Sequence, residues 1–431
     1  MKSSKIKMQQ RLFTFLIWLS VILIPLPLII ILNRGLIDTP AHLMAYDFGV
    51  FAYVWWLMII ILSTRPRWLT QKVGMPTLYA IHGSVGILAL IAATIHRLNS
   101  FSMFPLIKET GNIAWYLEIF SMLLAVIFLS GWLTDRFQKI AGIKRFMERH
   151  LFKHQVTIWL HRLNFLAVGL IWLHVWLIPR LRNVSGFTML FNGYTLIAIS
   201  IYCWWKLKIK RQSQGIVKEN TAIGQNIQRI MITLPKRVEY HAGDFYFLSF
   251  QKQNNRFSEP HPFSVGSAPS EHPNEAIFMI RRLGDFTRQL DQFIPGTRVR
   301  MEGPFGLFDQ EITEANGPIV LYGMGAGMVP LLGLAQQYAN KKKIHLLWTG
   351  RLAKEDEYQK ILRSLADKGV QIELKDHRFS KDELKSIFDP NEVQTARLII
   401  AGSSPAVLSA RQILKKIGFK NNQLIDERMT L

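Results

Sequence analysis

The chain has 431 residues, 49% of them hydrophobic, with 52 Lys and Arg against 30 Asp and Glu, for a net charge of +22. That length allows two or three domains. A single cysteine, Cys203, excludes a disulfide framework, an intramolecular Cys-Cys redox pair and a cysteine-ligated iron–sulfur cluster, so electron carriers, where needed, must be bound cofactors.

The first half is a series of apolar runs. Six spans of about 20 residues are predicted, at roughly 12–32, 45–63, 76–96, 113–134, 155–178 and 188–205. The first lacks a small-residue cleavage site and reads as an anchor rather than a signal peptide. With the N-terminus cytoplasmic, 17 basic residues fall on the inner side of the spans and 5 on the outer side. The positive-inside rule then predicts a multi-pass protein of the plasma membrane with both termini in the cytoplasm. Much of the positive charge is thus topology, and no nucleic-acid partner is expected.

Two spans carry two histidines each. His82 and His96 are 14 residues apart in the third, and His161 and His174 are 13 apart in the fifth, so each pair is separated by about 20 Å along its helix. Both spans run from inside to outside. His82 and His161 therefore share an inner level, and His96 and His174 an outer one. An ionisable side chain in hydrocarbon is costly and signals function. A single such histidine serves equally as an interhelical hydrogen-bonding group, but four at matched depths read as axial ligands of two b-type hemes, each iron taking one imidazole from each helix. Gly83, Gly86 and Gly169 suit a flat macrocycle or ordinary helix packing. Arg97 and Arg162, each next to a ligand candidate, suit propionates or an interfacial position. His42, His150 and His154, in or beside loops, receive no role.

Lys206 to Gly215 reads as the exit from the membrane and a linker. Short β-type runs such as Arg229-Ile-Met-Ile-Thr-Leu and Asp244-Phe-Tyr-Phe-Leu-Ser-Phe, punctuated by Gly and Pro, then predict a small β-barrel. Beyond about 317, strands at Ile319-Val-Leu-Tyr, Lys343-Ile-His-Leu-Leu-Trp, Val370-Gln-Ile-Glu-Leu and Arg397-Leu-Ile-Ile-Ala alternate with helical patterns at about 328–340, 355–368 and after 402. That is a parallel α/β sheet of nucleotide-binding type. The expected domains are 1–208, 216–312 and 315–431.

Gly323-Met-Gly325-Ala-Gly327-Met-Val-Pro330 follows a strand and opens a helix, where unpaired N–H groups and the helix dipole favour a pyrophosphate; a tight strand-to-helix connection needs the same glycines. Arg351, after the next strand, could present a guanidinium to a 2′-phosphate. In the barrel region His261-Pro-Phe-Ser264-Val-Gly-Ser267-Ala-Pro269 and Arg281-Arg-Leu-Gly284-Asp-Phe-Thr287 combine aromatic, hydroxyl and arginine groups with a glycine turn, a composition suited to a flavin with a diphosphate tail.

The histidine spacings, Trp159-Leu-His161-Arg-Leu-Asn-Phe, the His-Pro-Phe-Ser-Val-Gly-Ser-Ala-Pro stretch, Gly-Asp-Phe-Thr, Gly303-Pro-Phe-Gly306 and the Gly-x-Gly-x-Gly-x-x-Pro turn occur in one order along nearly the whole chain. Together they resemble the NADPH oxidase and ferric reductase superfamily. The resemblance implies a multi-domain membrane protein: a six-helix transmembrane bundle of ferric-reductase type with two b-type hemes, fused to a ferredoxin-reductase-like FAD-binding β-barrel and an α/β NADPH-binding domain. By the same resemblance, Phe263 would lie against the isoalloxazine ring with Ser264 near its reactive nitrogen, as the catalytic pair. His261, Pro262, Ser267, Arg281, Gly284 and Thr287 would bind FAD. Gly323, Gly325, Gly327, Pro330 and Gly402 would shape the NADPH site, and Arg351 would favour the phosphorylated dinucleotide. Ala401-Gly402-Ser403 stands where many members have Cys-Gly-Pro. The chain ends Glu427-Arg-Met-Thr-Leu431 where many end in an aromatic that shields the flavin, so a more accessible flavin is expected.

The function expected from these readings is transmembrane electron transfer from NADPH through FAD and two hemes to external dioxygen, giving superoxide. Reduction of an external ferric chelate or quinone by the same path is the nearest alternative. A membrane subunit serving an external partner, or a heme sensor, belongs to another class and leaves the fused flavin module unexplained. No EF-hand pattern or Pro-rich tail is present, so constitutive activity without an evident regulatory partner is expected.

Overall fold

The computed structural model describes residues 2–129, 142, 144, 146, 154–211, 214–223, 226–235, 240–350 and 357–429. The chain divides into two units, Lys7–Lys208 and Met1–Ile6 with Ile209–Leu431.

In the first unit, six helical segments are long and apolar enough to cross a membrane: Met8–Gly35, Pro40–Leu62, Met75–Asn99, Pro105–Phe128, Val156–Leu177 and Ser185–Ile209. Prolines set several of the starts. α1 (Lys2–Leu23) is followed by α2 (Leu26–Gly35), and α3 (Pro40–Leu62) opens on Pro40; after α4 (Arg67–Val73), α5 (Met75–Asn99) carries Pro76 in its first turn, and α6 (Pro105–Leu124) opens on Pro105. At these positions the missing N–H is an orphan anyway and the fixed φ is already helical. Pro105 therefore starts the fourth segment about eight residues before the predicted 113; that prediction's last residues, 130–134, lie outside the described residues. A π-helical stretch, Ala125–Leu129, continues α6. The fifth segment is not one helix. α7 (His154–His161) and α8 (Asn164–Leu177) are separated by a turn at Arg162 and Leu163. The short α9 (Pro179–Arg182) and the long α10 (Ser185–Arg211) complete the unit. Its core packs Leu28, Leu32, Tyr53, Val54, Trp56, Val85, Ala89 and Phe187, all 3% exposed or less. Trp55 Nε1 donates to the Val21 carbonyl at 2.7 Å, and the Tyr53 hydroxyl lies 2.8 Å from Thr195 Oγ1.

The second unit begins with a six-stranded antiparallel sheet ordered β4-β3-β6-β1-β2-β5, with β1 Gln214–Ile223, β2 Ile227–Thr233, β3 Phe245–Phe250, β4 His261–Ser264, β5 Glu275–Arg281 and β6 Arg298–Phe305. Just past β4, the Gly266 N–H donates to the Ile277 carbonyl at 2.8 Å and curls the sheet on itself. Tyr246, Leu248, Phe250, Ile230, Phe278 and Val299 fill the interior. β1 was expected to start as linker. Its polar sequence hides it, yet Ile216 through Ile223 pair along β2.

A five-stranded parallel sheet follows, ordered β11-β10-β7-β8-β9, from β7 (Ile319–Met324), β8 (Ile344–Thr349), β9 (Gln371–Lys375), β10 (Arg397–Ser403) and β11 (Leu424–Met429). After α11 (Phe308–Thr313), α12 (Met328–Tyr338) and α13 (Glu357–Asp367) pack on one face; α14 (Lys381–Ile387), α15 (Pro390–Thr395) and α16 (Ser404–Ile417) follow in the chain, residues of α14 and α16 packing on the other face. Two capping boxes, Ser380 with Glu383 and Asp389 with Glu392, start the short α14 and α15, which the apolar periodicity did not reveal. One core joins barrel and sheet through Met279, Ala242, Phe308, Val329 and Leu331.

Candidate functional site

The bundle brings the four span histidines together in two pairs. The rings of His82 and His161 have centroids 6.4 Å apart, and those of His96 and His174 are 6.3 Å apart. A direct N–H···N bond would bring ring centres to about 5 Å, so the rings are too distant to bond each other. Two metal–nitrogen bonds of about 2 Å, plus about 1.1 Å from each nitrogen to its ring centre, require about 6 Å. Each pair is thus spaced to ligate one metal ion from two sides. Among the described residues no group of three or more His, Cys, Asp or Glu is placed to hold a metal ion.

The unequal spacings, 14 and 13, reach equal separations through the turn at Arg162. There Leu163 N–H reaches Leu160 O at 3.0 Å and Phe165 N–H reaches Arg162 O at 3.0 Å, both three-residue bonds, while Arg162 N–H is shared between Trp159 O at 3.1 Å and Ile158 O at 3.2 Å. Each such step rises about 2.0 Å rather than about 1.5 Å. The two clear steps recover about 1 Å, most of the about 1.5 Å rise of the missing residue.

The second pair is fixed by backbone acceptors. His96 Nδ1 lies 2.8 Å from the Ala45 carbonyl and His174 Nδ1 lies 2.8 Å from the Ile107 carbonyl. A carbonyl only accepts, so each Nδ1 carries the proton and each Nε2 keeps a free lone pair, as a metal ligand needs. In the first pair His161 Nδ1 is buried with no hydrogen-bond partner within 3.5 Å among the described residues, as are the hydroxyls of Ser121 and Thr157. Gly83 and Gly169 face open space, whereas a methyl on Gly86 would meet Met122 Cε at 3.3 Å. Arg97 stacks over Trp115, 4.3 Å from the ring centre, while its Nε donates to Asn112 Oδ1 at 2.9 Å; Arg162 lies 4.7 Å over Trp159. Sequence reasoning did not single out Glu118, which is 4% exposed on α6 and bonded to the Trp56 side chain. An acidic residue inside a predicted span was the available signal.

In the second unit, His261 stacks on Phe286 at 4.0 Å with rings 1° from parallel, and its Nδ1 lies 2.9 Å from the Glu259 carbonyl. Phe263 is half-buried, 6.4 Å from Phe286, and Pro262 is exposed; Ser264 ends β4 opposite Phe245. Arg281, at the end of β5, is exposed. The Thr287 hydroxyl accepts from Leu283 N–H at 3.0 Å and Gly284 N–H at 2.9 Å, locking that turn at the start of a 3-10 helix. Ser267 is turned inward: its Oγ accepts from Ile277 N–H at 3.1 Å and meets the Tyr240 hydroxyl, also at 3.1 Å.

At the carboxyl edge of the parallel sheet, Gly323 is the last residue but one of β7, and Gly325 has φ of +59° with open space where a side chain would project. Gly327 presses on β10: a methyl there would collide with the Ala401 carbonyl and lie 2.5 Å from Gly402 N. Gly402 in turn leaves only 3.0 Å to Met324 Cβ. This close stacking puts the N-terminus of α12, with buried Pro330 in its first turn, at the strand ends, the position for a phosphate-bearing ligand. Arg351 and Leu431 lie outside the described residues. Glu427 on β11 pairs in register with Ala401, and burial, reinforced by the Asp244 charge, pushes its carboxyl up to about 7.

A family profile described as an FAD-binding domain matches residues 215–309. The chain is 31% identical over 112 residues to the propane 2-monooxygenase reductase component of Gordonia sp. (strain TY-5), a match covering 25% of this chain and 30% of that relative's length. Among solved structures it is similar to a ferredoxin NADP+ reductase from Neisseria gonorrhoeae, with 16% identity, a TM-score of 0.42, and coverage of 50% of this chain and 98% of that one. It is also similar to a flavohemoglobin from Malassezia yamatoensis, with 15% identity, a TM-score of 0.44, and coverage of 90% and 96%. The family match falls on the six strands of the barrel, which is accordingly an FAD-binding domain.

Proposed function

We propose that the chain is a transmembrane electron-transfer oxidoreductase of the NADPH oxidase and ferric reductase type, lying in the plasma membrane with both termini cytoplasmic. The reading rests on one observation above the others: two histidine pairs with equal ring separations sit in helices long enough to cross a membrane, in a chain that also carries an FAD-binding domain. The reductase name of the Gordonia relative agrees with NAD(P)H as the electron source. The bound groups would supply the redox chemistry: hydride from NADPH to FAD, then single electrons through two b-type hemes to external dioxygen, which leaves as superoxide.

The chain's own contribution is position. His82 with His161, and His96 with His174, would hold the two irons. Phe263 and Ser264 would border the flavin ring, with His261, Pro262, Arg281, Gly284 and Thr287 around its tail. The turn Gly323 to Gly327 with Pro330 and Gly402 would take the dinucleotide, and Arg351 its 2′-phosphate.

The test is NADPH-dependent dye reduction by the purified, FAD-supplemented protein in detergent under air, with and without superoxide dismutase. Loss of the signal with dismutase is the expected result. Dye reduction that ignores dismutase, or that requires an added ferric chelate or quinone, overturns the oxidase assignment in favour of a reductase using the same path.

A further inference from the structure

We infer that Gly49 and Gly111 are positioning residues for the His96–His174 pair, each acting by exposing the backbone carbonyl one turn before it to an imidazole N–H. The inference rests on the heme reading above and goes beyond it by explaining how the two ligands are held.

The same device occurs twice, on two separate helix pairs. On α3, Ala45 supplies the carbonyl that His96 Nδ1 reaches at 2.8 Å, and Gly49 follows four residues later. On α6, Ile107 supplies the carbonyl that His174 Nδ1 reaches at 2.8 Å, and Gly111 follows four residues later. In an α-helix the carbonyl of residue i points at the N–H of residue i+4, so the side chain at i+4 stands beside the approach to that oxygen. Both imidazoles occupy this space. A methyl on Gly49 would lie 3.0 Å from His96 Nδ1 and 3.2 Å from its Cε1; a methyl on Gly111 would lie 3.1 Å from His174 Cε1 and 3.2 Å from its Nδ1.

Hydroxyls complete each seat, Ser100 Oγ at 3.2 Å from His96 Nδ1 and Thr110 Oγ1 at 3.4 Å from His174 Nδ1. The other pair lacks the device. The carbonyls facing His82 and His161 belong to Ile59 and Ser121, with Ser63 and Ala125, not glycine, four residues on. Direct donation to a carbonyl fixes the tautomer, holds the ring plane and raises the basicity of Nε2. The two pairs therefore differ in what stands beside the carbonyl each imidazole faces, glycine at the second pair and a side chain at the first, although their ring separations match.

The test uses the full-length protein in detergent, read by heme per chain and by the low-spin electron paramagnetic resonance signals rather than by turnover. Gly49→Ala and Gly111→Ala are each expected to shift or abolish one of two heme signals, the one that His96→Ala removes, while the other signal and the FAD content stay. Gly193→Ala, whose added methyl meets nothing within 4 Å, should change neither. If both alanine variants keep both signals unchanged while His96→Ala removes one, the glycines do not position the ligands although the heme reading stands. If the wild type binds no heme, both readings fall. If the alanine variants lose both signals, the exchangeable Nδ1-proton couplings of the wild type decide. Two matched couplings in the signal assigned to His96 and His174 support the seats, and unmatched ones overturn them.

Discussion

Replacing Gly327 with alanine tests the geometry of the glycine turn proposed to take the dinucleotide. The added methyl would collide with the Ala401 carbonyl and stand 2.5 Å from Gly402 N, both backbone atoms of β10 in the interior of the parallel sheet. Reaching an ordinary contact requires the turn and the strand to part by about 1 Å, and overpacking of this kind costs about 1–3 kcal/mol. If that cost falls on the arrangement that binds the dinucleotide, affinity drops about 10- to 100-fold, at about 1.4 kcal/mol per tenfold. Gly325→Ala is the companion variant. Its methyl meets nothing, so only the positive φ of +59° is charged, about 1 kcal/mol and about fivefold. The assay is anaerobic single-turnover reduction of the bound flavin across NADPH concentrations, with FAD content measured in parallel. Gly327→Ala should raise the apparent Kd more than Gly325→Ala, both with FAD retained. Wild-type affinity and thermal stability in Gly327→Ala would refute the close approach as the reason for a glycine there.

Glu427 predicts a pH dependence of the second unit. Its folded pKa of about 7 lies above the ordinary 4.5, so the folded state holds this proton more tightly than the unfolded one. Stability from this group is intact below about pH 4.5, falls as pH rises towards 7 and is then flat, by about 1–3 kcal/mol in all. Glu427→Gln should therefore raise the temperature of flavin release at pH 8 and leave it unchanged at pH 4.5; equal shifts at both would contradict the burial argument. Tyr240→Phe removes a buried hydroxyl within 3.0 Å of the His272 and Glu275 carbonyls, and should lower that temperature by the equivalent of about 1–2 kcal/mol without changing NADPH affinity. His174→Ala should abolish external reduction while NADPH still reduces the flavin, and unchanged external activity would sink the two-heme path.

Much of the fold was legible because it depends on local pattern. Apolar runs marked all six long segments to within a few residues at most ends, and four of the five strands of the parallel sheet stood out from the sequence, whereas β11, with Asp426, Glu427 and Arg428 in its middle, did not. β1 was missed because its residues are polar on one face and its partner, β2, is supplied only by folding. The short α14 and α15 were missed because two capping boxes, rather than an apolar stripe, hold their first turns. The break at Arg162 was hidden for another reason. The 13-residue spacing is one residue short of the other span's 14, and no residue type in it marks the three-residue bonds near Arg162 that make up most of the difference.

The candidate sites divide along the same line. Gly325 could be picked out because its positive φ belongs to a turn written in consecutive residues. Gly49 and Gly111 could not, because each is needed for a ring that arrives from a helix 47 or 63 residues further along the chain. Gly327 stands between these cases: its motif is local, but the atoms that forbid a side chain belong to β10, more than 70 residues away. Glycine thus serves one physical purpose in both units, close approach to a backbone polar group, once to set a helix N-terminus at the strand ends and twice to let an imidazole reach a carbonyl. A reading by residue type finds the first because glycine clusters there. It passes over the other two because a solitary glycine in an apolar helix is the ordinary mark of helix packing, and only the 2.8 Å bonds one turn away distinguish them.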